Sequence, residues 1–349
     1  MKVGIIGAGL MGEKRARAIA GLDGRSVGAV FDVDQDRAAA LAGQFGGSVE
    51  LSAEALVERP DLDAVVLAVP HHLTRDLAVA AFDAGKHVFC EKPVGRVTAE
   101  CDAIVAASER AGRVLGVGFN YRHYPGVERA KRLIGDGAIG EPTHLRFVLG
   151  HAGRPGYERE WKTSKAQCGG GALLDPGIHV IDLVRFLLGP IEGGTVTLFR
   201  SFWELDVEDN AFLSLRTVDG RQAQAHVSIT EWRNEFALDI FGPEGSLRIR
   251  GRSGFYGPQS IELTKRWSWL AEERKREEFE ETFDREDRSF EIELERYFDR
   301  IEGRPTPDLA TPEDARCALE LTERLYAEAP VETLQSSALC PAGTAGRSR

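Results

Sequence analysis

Two short stretches carry residues whose types and spacing could do chemistry. The first is Glu91-Lys92-Pro93, which cuts off a strand-forming run from His87 to Cys90. Proline has no N–H to give to a ladder, so the strand must stop there and present two opposite charges at its carboxyl end. The second runs from the glycines Gly169, Gly170 and Gly171 through Asp175-Pro176 to His179 and Asp182. Asp175, His179 and Asp182 recur at steps of four and three, which stacks them on one face of a helix. A histidine near neutral pKa takes or gives a proton, and a lysine ammonium favours an oxygen on which negative charge develops. Such groups suit proton transfer at a hydroxyl. Each stretch also has a plain structural reading. Glu91 and Lys92 can be a solvated strand end, Asp175 an N-cap before Pro176, and His179 a structural partner of Asp182.

The elements needed to hold Lys92 are legible upstream. Lys2 to Ile6 reads as a strand, Gly7-Ala8-Gly9-Leu10-Met11-Gly12 follows at once, and Glu13 to Ala20 reads as a helix. This is G-x-G-x-x-G between strand and helix, the setting in which it binds a dinucleotide. Gly7 permits the turn, Gly9 lets a pyrophosphate approach the backbone, and Gly12 lets helix and strand pack closely. The next strand, Ser26 to Phe31, ends on Asp32, where an acid accepts hydrogen bonds from ribose hydroxyls and repels a 2′-phosphate. NAD is favoured, while Arg37 nearby leaves NADP open. The competing readings are a glycine-rich turn and a turn or cap residue at Asp32.

The alternation then continues. Asp36 to Phe45 reads as helix, Ser52 caps another ending near Glu58, and Asp63 to Val69 is an apolar strand closed by Pro70-His71-His72. A helix from Leu73 to Ala84 leads into the Lys92 strand. Thr98 caps a helix to Ala111, and a strand from Leu115 to Phe119 ends on Asn120. At least five strands separated by helices predict a doubly wound α/β sheet with its strand ends on one side. His71 and His72 have no metal-ligand spacing around them, so no metal is expected; solvated loop residues are the alternative.

The second half changes character. A helix from Tyr124 to Gly135 and a strand from Thr143 to Leu149 precede a long loop, Gly150 to Gly171, containing Tyr157, Trp161 and the bases Arg154, Arg159, Lys162 and Lys165. A loop of that length and content predicts a substrate loop and makes an anionic substrate worth testing. Thr195 to Arg250 alternates as antiparallel strands with turns at Asp219-Gly220 and at Gly242 to Gly245. His226 falls on the polar face with Gln222 and Gln224, away from catalysis. Lys265 to Asp287 reads as a solvated helix or loop, Phe290 to Ile301 as a helix, and Thr311 starts a last one. The expected domains are 1–121, 122–330 and a flexible tail, 331–349.

Composition bounds the function. The 349 residues carry a net charge of -11, 42% hydrophobic and 28% charged residues. That balance predicts a soluble chain with a proper core and disfavours nucleic-acid backbone binding. Five cysteines lie scattered without a C-x-x-C pair, as reduced intracellular thiols do. No apolar run approaches a membrane span of about 20 residues, and the stretch after Lys2 is too short for a signal peptide. A cytoplasmic protein is expected. A broad second-domain sheet face with Ala and Val exposed predicts a homodimer or homotetramer.

With these motifs in order, the chain resembles the Gfo/Idh/MocA oxidoreductases to about Pro330. The residues that carry the resemblance are Gly7 to Gly12, Pro70-His71-His72, Gly85 to Pro93, Gly118 to Asn120, Gly137 to Pro142 and Gly169 to Asp182. It implies an N-terminal Rossmann domain and a C-terminal α/β domain on a large, mostly antiparallel sheet. It also implies hydride transfer between NAD or NADP and a hydroxyl or ketone of a sugar, sugar derivative or cyclitol. Carried over, Lys92 bonds the reacting oxygen, His179 is the acid/base, and Asp175 orients the substrate and His179. Gly7, Gly9, Leu10, Met11, Gly12, Asp32, Pro70, His72, Glu91, Lys92 and Asn120 hold the cofactor. His71 departs from a common Asn and Thr74 from a common second His. An NAD-dependent glycosidase and a non-catalytic nicotinamide sensor stay open; the sensor would need neither Lys92 nor His179.

Overall fold

The computed structural model describes residues 1–266, 278–283 and 286–333. In the first part strands and helices alternate: β1 (Lys2–Ile6), α1 (Leu10–Ala20), β2 (Ser26–Phe31), α2 (Gln35–Phe45), β3 (Ser48–Val49), α3 (Ala53–Val57), β4 (Ala64–Leu67), α4 (His71–Asp83), β5 (His87–Glu91), α5 (Thr98–Ala111) and β6 (Leu115–Gly118). The sheet is parallel throughout, in the order β3-β2-β1-β4-β5-β6. Val3, Ile5, Val65 and Val88 are fully buried, as expected of strands covered on both faces. Crossovers of one hand put the ends of β1, β2, β4, β5 and β6 on one edge. Ser52 caps α3 through a bond from the Ala55 N–H at 3.1 Å.

Two helix starts differ from expectation. α4 begins at His71, with Pro70 before it, so both histidines lie in a first helical turn and not in a loop. Thr98 does not cap α5. Its own N–H and hydroxyl donate to Glu323 Oε2 at 3.0 and 2.7 Å, so an acid from the far end of the chain satisfies the helix start.

A 3₁₀ turn at Asn120–His123 leads to α6 (Pro125–Gly135) and β7 (His144–Gly150). The long loop is not structureless: it contains two 3₁₀ turns, Tyr157–Arg159 and Trp161–Thr163, and α7 (Lys165–Cys168). Then come α8 (Gly177–Leu188), β8 (Ile191–Arg200), β9 (Asn210–Thr217), β10 (Gln222–Ser228), β11 (Glu235–Gly242), β12 (Gly245–Arg250), β13 (Ser260–Lys265), β14 (Glu278–Thr282), α9 (Ser289–Ile301), α10 (Pro312–Glu328) and β15 (Val331–Thr333). The second sheet is ordered β14-β13-β12-β11-β7-β10-β9-β8-β15. It is mostly antiparallel, with parallel pairs only at β7–β10 and β15–β8 among the described strands. α8 packs on its inner face against β7, β9 and β10.

Part of the charge-rich run, residues 267–277 and 284–285, lies outside the described residues, but Glu278–Thr282 within it is strand β14, not helix or loop. The tail was expected to be flexible from 331; Val331–Thr333 instead pairs with β8, and residues 334–349 lie outside the described residues. The inner and outer faces of the second sheet also correct an expectation. Ala223, Ala225 and Val227 are the buried face, 2%, 8% and 0% exposed, and the open face carries Gln222, Gln224, Phe212 and Arg146.

The last helices return to the first sheet. Leu294, Tyr297 and Phe298 of α9 join Ile5, Val30, Phe89 and Ile19 in one apolar cluster. Gly116 in β6 is glycine because a Cβ there would lie 2.5 Å from the Tyr297 ring. At the centre of this seam is Arg15 of α1, fully buried. Its Nε donates to Glu91 at 2.6 Å, its Nη1 lies 2.8 Å from Glu293 of α9, and its guanidinium covers the Phe89 ring. One cation thus faces two carboxyls. Burial, together with the Glu91 charge, outweighs Arg15 and pushes Glu293 up to about 8.

A carboxyl raised from 4.5 to about 8 holds its proton in the folded chain and loses it in the unfolded one between those values. The folded state then binds more protons, so stability falls as pH rises through that window, with a limiting slope of about 1.4 kcal/mol per pH unit. Glu293→Gln keeps the neutral form and is expected to remove this contribution. Denaturant unfolding of both proteins at several pH values between about 5 and 8 measures it. Equal slopes for variant and wild type would rule out a protonated Glu293.

Candidate active site

The carboxyl edge of the first sheet is built to receive a dinucleotide. Gly7 has φ 99°, and a Cβ there would meet Ala68 O at 2.2 Å; a Cβ at Gly12 would meet Gly7 O at 1.9 Å. Those two glycines are demanded by the turn itself. A Cβ at Gly9 would meet nothing within 4 Å, so its lack of a side chain leaves open space at the start of α1. Gly9 supplies no side-chain cap, and the first N–H groups of α1 can bond a phosphate. Leu10 is exposed and Met11 half-buried beside them. Asp32 accepts the Ala8 N–H at 2.6 Å on one oxygen and the Asp34 N–H at 2.8 Å on the other. A carboxylate has about four lone-pair sites, so acceptor capacity remains for ribose hydroxyls. Arg37, the residue that left NADP open, pairs with Asp34 at 3.1 Å. The residues present therefore fit NAD.

Along the same edge stand Pro70 and His72 at the start of α4, Glu91 and Lys92 after β5, and Asn120 after β6. His72 Nδ1 is buried without a partner among the described residues. Asn120 is buried and donates to Ser289 Oγ, the first residue of α9, at 2.8 Å. Glu91 is held by Arg15, so it is not the partner of its neighbour Lys92. The Lys92–Pro93 peptide bond is cis.

Lys92 instead reaches across to the second unit. Its Nζ donates to Asp175 Oδ1 at 2.6 Å and to the Asp175 carbonyl at 2.8 Å. Lys162 Nζ, from the long loop, donates to the other carboxylate oxygen at 3.0 Å. Asp175 does not cap α8, whose first residue is Gly177 and whose N-cap is Pro176. Burial would raise the Asp175 pKa, but Lys162 and then Lys92 hold it well below the usual carboxylate range. Burial lowers Lys92, partly offset by Asp175.

His179, the third residue of α8, is buried with its ring stacked on Tyr121 at 3.8 Å and edge-on to Phe119. It does not pair with Asp182. That acid is taken by Arg122, with bonds of 2.9 and 2.5 Å. Burial, then Lys92 and Arg252, lower the His179 pKa well below 6.5, and Asp175 only partly opposes them. His179 is therefore a neutral imidazole whose Nδ1 is buried without a partner among the described residues. Lys92 is the foremost charge acting on it.

The loop bases divide. Lys162 enters the site; Arg154 pairs with Glu160 at 2.7 Å, and Arg159 and Lys165 are exposed. The loop is fastened by His71, whose Nδ1 lies 2.7 Å from the Cys168 carbonyl oxygen and whose ring meets Trp161 at 4.7 Å. Burial lowers His71 to about 4, so it stays neutral. His226 bonds Asn210 Oδ1 at 3.0 Å on the outer face, away from this cleft, as expected. Among the described residues no group of three His, Cys, Asp or Glu is disposed to hold a metal, and no helix is long and apolar enough to cross a membrane.

Two contributors escaped the sequence. Lys162 was one of four similar bases, and only the loop's path singles it out. Arg252, after β12, carries no motif at all, yet its charge acts on His179.

The chain matches the family model described as "Oxidoreductase family, NAD-binding Rossmann fold" over residues 1–119 and the "GFO/IDH/MocA C-terminal domain" model over residues 127–248. It is 33% identical over 287 residues to levoglucosan dehydrogenase of Pseudarthrobacter phenanthrenivorans, covering 71% of this chain and 73% of that one. It is 32% identical over 247 residues to 1,5-anhydro-D-fructose reductase of Ensifer adhaerens, covering 70% and 74%. The solved structure of levoglucosan dehydrogenase in complex with NADH has the same fold, with a TM-score of 0.80 over 94% of this chain and 97% of that one at 24% identity. With its paired models and these relatives, the chain belongs to the Gfo/Idh/MocA family of oxidoreductases, and its parallel sheet is an NAD-binding Rossmann domain.

Proposed function

We propose that the protein transfers a hydride between NAD and a secondary hydroxyl or ketone of a sugar or cyclitol, in the cleft between residues 1–121 and 122–330. The observation that carries this reading is the bond from Lys92, at the edge of the NAD-binding sheet, to Asp175, which stands one turn ahead of His179. Two relatives are named for acting on levoglucosan and on 1,5-anhydro-D-fructose, which supports the substrate class.

The bound nicotinamide supplies the hydride acceptor. The chain's own residues handle the oxygen and its proton. An ammonium has three N–H donors, and two of the Lys92 donors are spent on Asp175. The third is left for the substrate oxygen, where it stabilises the alkoxide character that develops as the C–H bond breaks. The neutral imidazole of His179 takes the hydroxyl proton. Asp175 keeps Lys92 charged and aimed, against the burial that lowers it. In reduction the same groups run backwards, with His179 giving the proton to the nascent hydroxyl. Leu10, Met11, Pro70, His72, Glu91 and Asn120 line the cofactor's path along the sheet edge in this reading.

The open face of the second sheet supports self-association of a cytoplasmic homodimer or homotetramer. It carries a groove lined by Arg146, Thr195, Thr197, Phe212, Ser214 and Gln224. Phe212 is 48% exposed and stacks on His226 at 4.1 Å.

Cofactor binding is tested by dissociation constants for NAD and NADP. Gly9→Ala is expected to fold and to lose NAD affinity at least about tenfold, because its methyl fills the space left for pyrophosphate. Gly12→Ala is expected to lose stability, since its methyl meets backbone. Wild type is expected to prefer NAD, and Asp32→Ala to narrow that preference. Wild-type binding of NADP as tight as NAD would sink the Asp32 assignment.

For the acid/base, His179→Ala is expected to lose roughly 10²- to 10⁴-fold in kcat with NAD affinity little changed. A base acts when deprotonated, and the lowered His179 pKa keeps it so down to acid pH. The kcat/KM for oxidation should therefore be flat above about pH 6.5 and fall only below it. An inflection above that value that vanishes in His179→Ala would contradict a lowered pKa. Release of a second sugar without net NADH formation would favour the glycosidase reading.

Self-association is read by light scattering at micromolar concentration. Wild type is expected as a dimer or tetramer, and Phe212→Asp as a smaller species. A monomeric wild type would refute it.

A further inference from the structure

Arg252 is the charge in the cleft that the mechanism above leaves without a task. It follows β12 on the turn from Gly251 to Gly257. Ser253, next to it, has φ 72° and ψ 174°, the one positive φ outside glycine among the described residues. That region is costly for a residue with a Cβ and persists where the surroundings hold it. Here the Ser253 N–H bonds the Gly257 carbonyl at 2.8 Å, and the strained turn carries Arg252 and Tyr256 towards the cleft.

The guanidinium is held by aromatic groups. It lies 3.8 Å from the Tyr256 ring centre and 5.0 Å from that of Tyr121, the ring that stacks on His179. Its Nη1 donates to the Tyr124 hydroxyl at 2.9 Å. Its Nε is buried without a partner among the described residues. No carboxylate of the described residues lies within ion-pair distance. Its charge acts on His179 of α8, on His151 just after β7 and on Lys14 of α1, groups that surround the cleft from three sides. Asp287, the acid acting on Lys14, is bonded to Ser289.

Charge bookkeeping then leaves the cleft positive. Lys92 and Lys162 share the carboxylate of Asp175, Glu91 is taken by Arg15, Asp287 is bonded to Ser289, and Arg252 has no carboxylate within ion-pair distance among the described residues. A neutral sugar needs no such excess. A half-buried arginine whose Nε is buried, with no anion among the described residues, carries a desolvation cost that a matching anion offsets. A guanidinium braced flat on aromatic rings is also preorganised for the planar geometry of a carboxylate.

We propose that Arg252 recognises a carboxylate on the substrate, so that the substrate class is a sugar acid. The inference rests on the reading of this cleft as a sugar site. Arg252 is a specificity residue in it: it fixes which sugar enters and leaves the proton to His179 and Lys92.

The test uses the full chain with saturating NAD and matched probes: glucose against glucuronate, galactose against galacturonate, and the two hexose 6-phosphates. Binding is measured by calorimetry and oxidation by NADH formation. Wild type is expected to bind and turn over the uronate at least about tenfold better than its neutral partner, the discrimination of one charge-assisted contact. Arg252→Gln should bring that ratio close to unity, acting through KM, with Arg252→Lys between the two. No uronate preference in wild type overturns the proposal even if neutral sugars are oxidised. Binding of neither class would fell the sugar-site reading and this proposal with it. A preference for the phosphates over the uronates overturns the carboxylate assignment. An unchanged ratio in both variants, or an NAD affinity that falls as far as that of the uronate, assigns Arg252 to another partner and overturns it too.

Discussion

The rest of the structure depends on one ion pair, Lys92 with Asp175. Both side chains are nearly buried, 14% and 11% exposed, and they belong to different sheets' units. A charge in such a place is tolerable only while its partner stays, since breaking a buried pair costs about 3–5 kcal/mol. The pair therefore ties the NAD-binding edge to the start of α8. It also sets the protonation of the cleft. Two lysines on one carboxylate keep Asp175 ionised, and burial, with the positive charge of Lys92 and Arg252, keeps His179 neutral. A neutral imidazole and a charged ammonium in one cleft suit the proposed alcohol oxidation, with one group to take the proton and another to stabilise the oxygen.

That pair exists because Glu91 is engaged elsewhere. Adjacent residues of an extended strand point to opposite sides. Glu91 turns to Arg15 and Lys92 to Asp175, although the two are neighbours in the chain. Arg15 in turn lies within ion-pair distance of Glu293 of α9, so a helix from the last third of the chain steadies the acid beside Lys92. α9 does this by completing the apolar face of the first sheet with Leu294, Tyr297 and Phe298. The same helix places Ser289 against Asn120. The cofactor edge is thus braced from the last third of the chain.

The second sheet divides its labour by face. Alternation along β10 buries Ala223, Ala225 and Val227 under α8 and turns Gln222, Gln224 and His226 outward. The buried face supports the helix that carries His179, and the outer face carries the polar side chains of Gln222 and Gln224. At the sheet's carboxyl-side loops, Lys162 and Arg252 bring positive charge to the cleft from elements far apart in sequence, one on a 3₁₀ turn and one after β12.

The amino-acid sequence alone determined whatever depends on near neighbours. Strand β1, the glycine turn and α1 follow from local periodicity, from the positive φ of Gly7 and from the close approach at Gly12, and Lys2–Ile6 and Ser26–Phe31 fall where β-branched residues put them. The strand stop at Pro93 and the helical spacing of Asp175 and His179 were equally local. The resemblance to a family rested on the same short motifs. What tertiary structure decided was which groups meet. Asp175 faces lysines instead of capping α8, Asp182 pairs with Arg122 and not His179, and Glu323 takes over the start of α5 from Thr98. Ala and Val of β10 turned inward because alternation says only that two faces differ, while the covering helix decides which is inside. Arg252 entered the cleft unannounced for the same reason. An ion pair or a desolvated charge is set by distance in space and by burial, and neither is written in the spacing of residues along the chain.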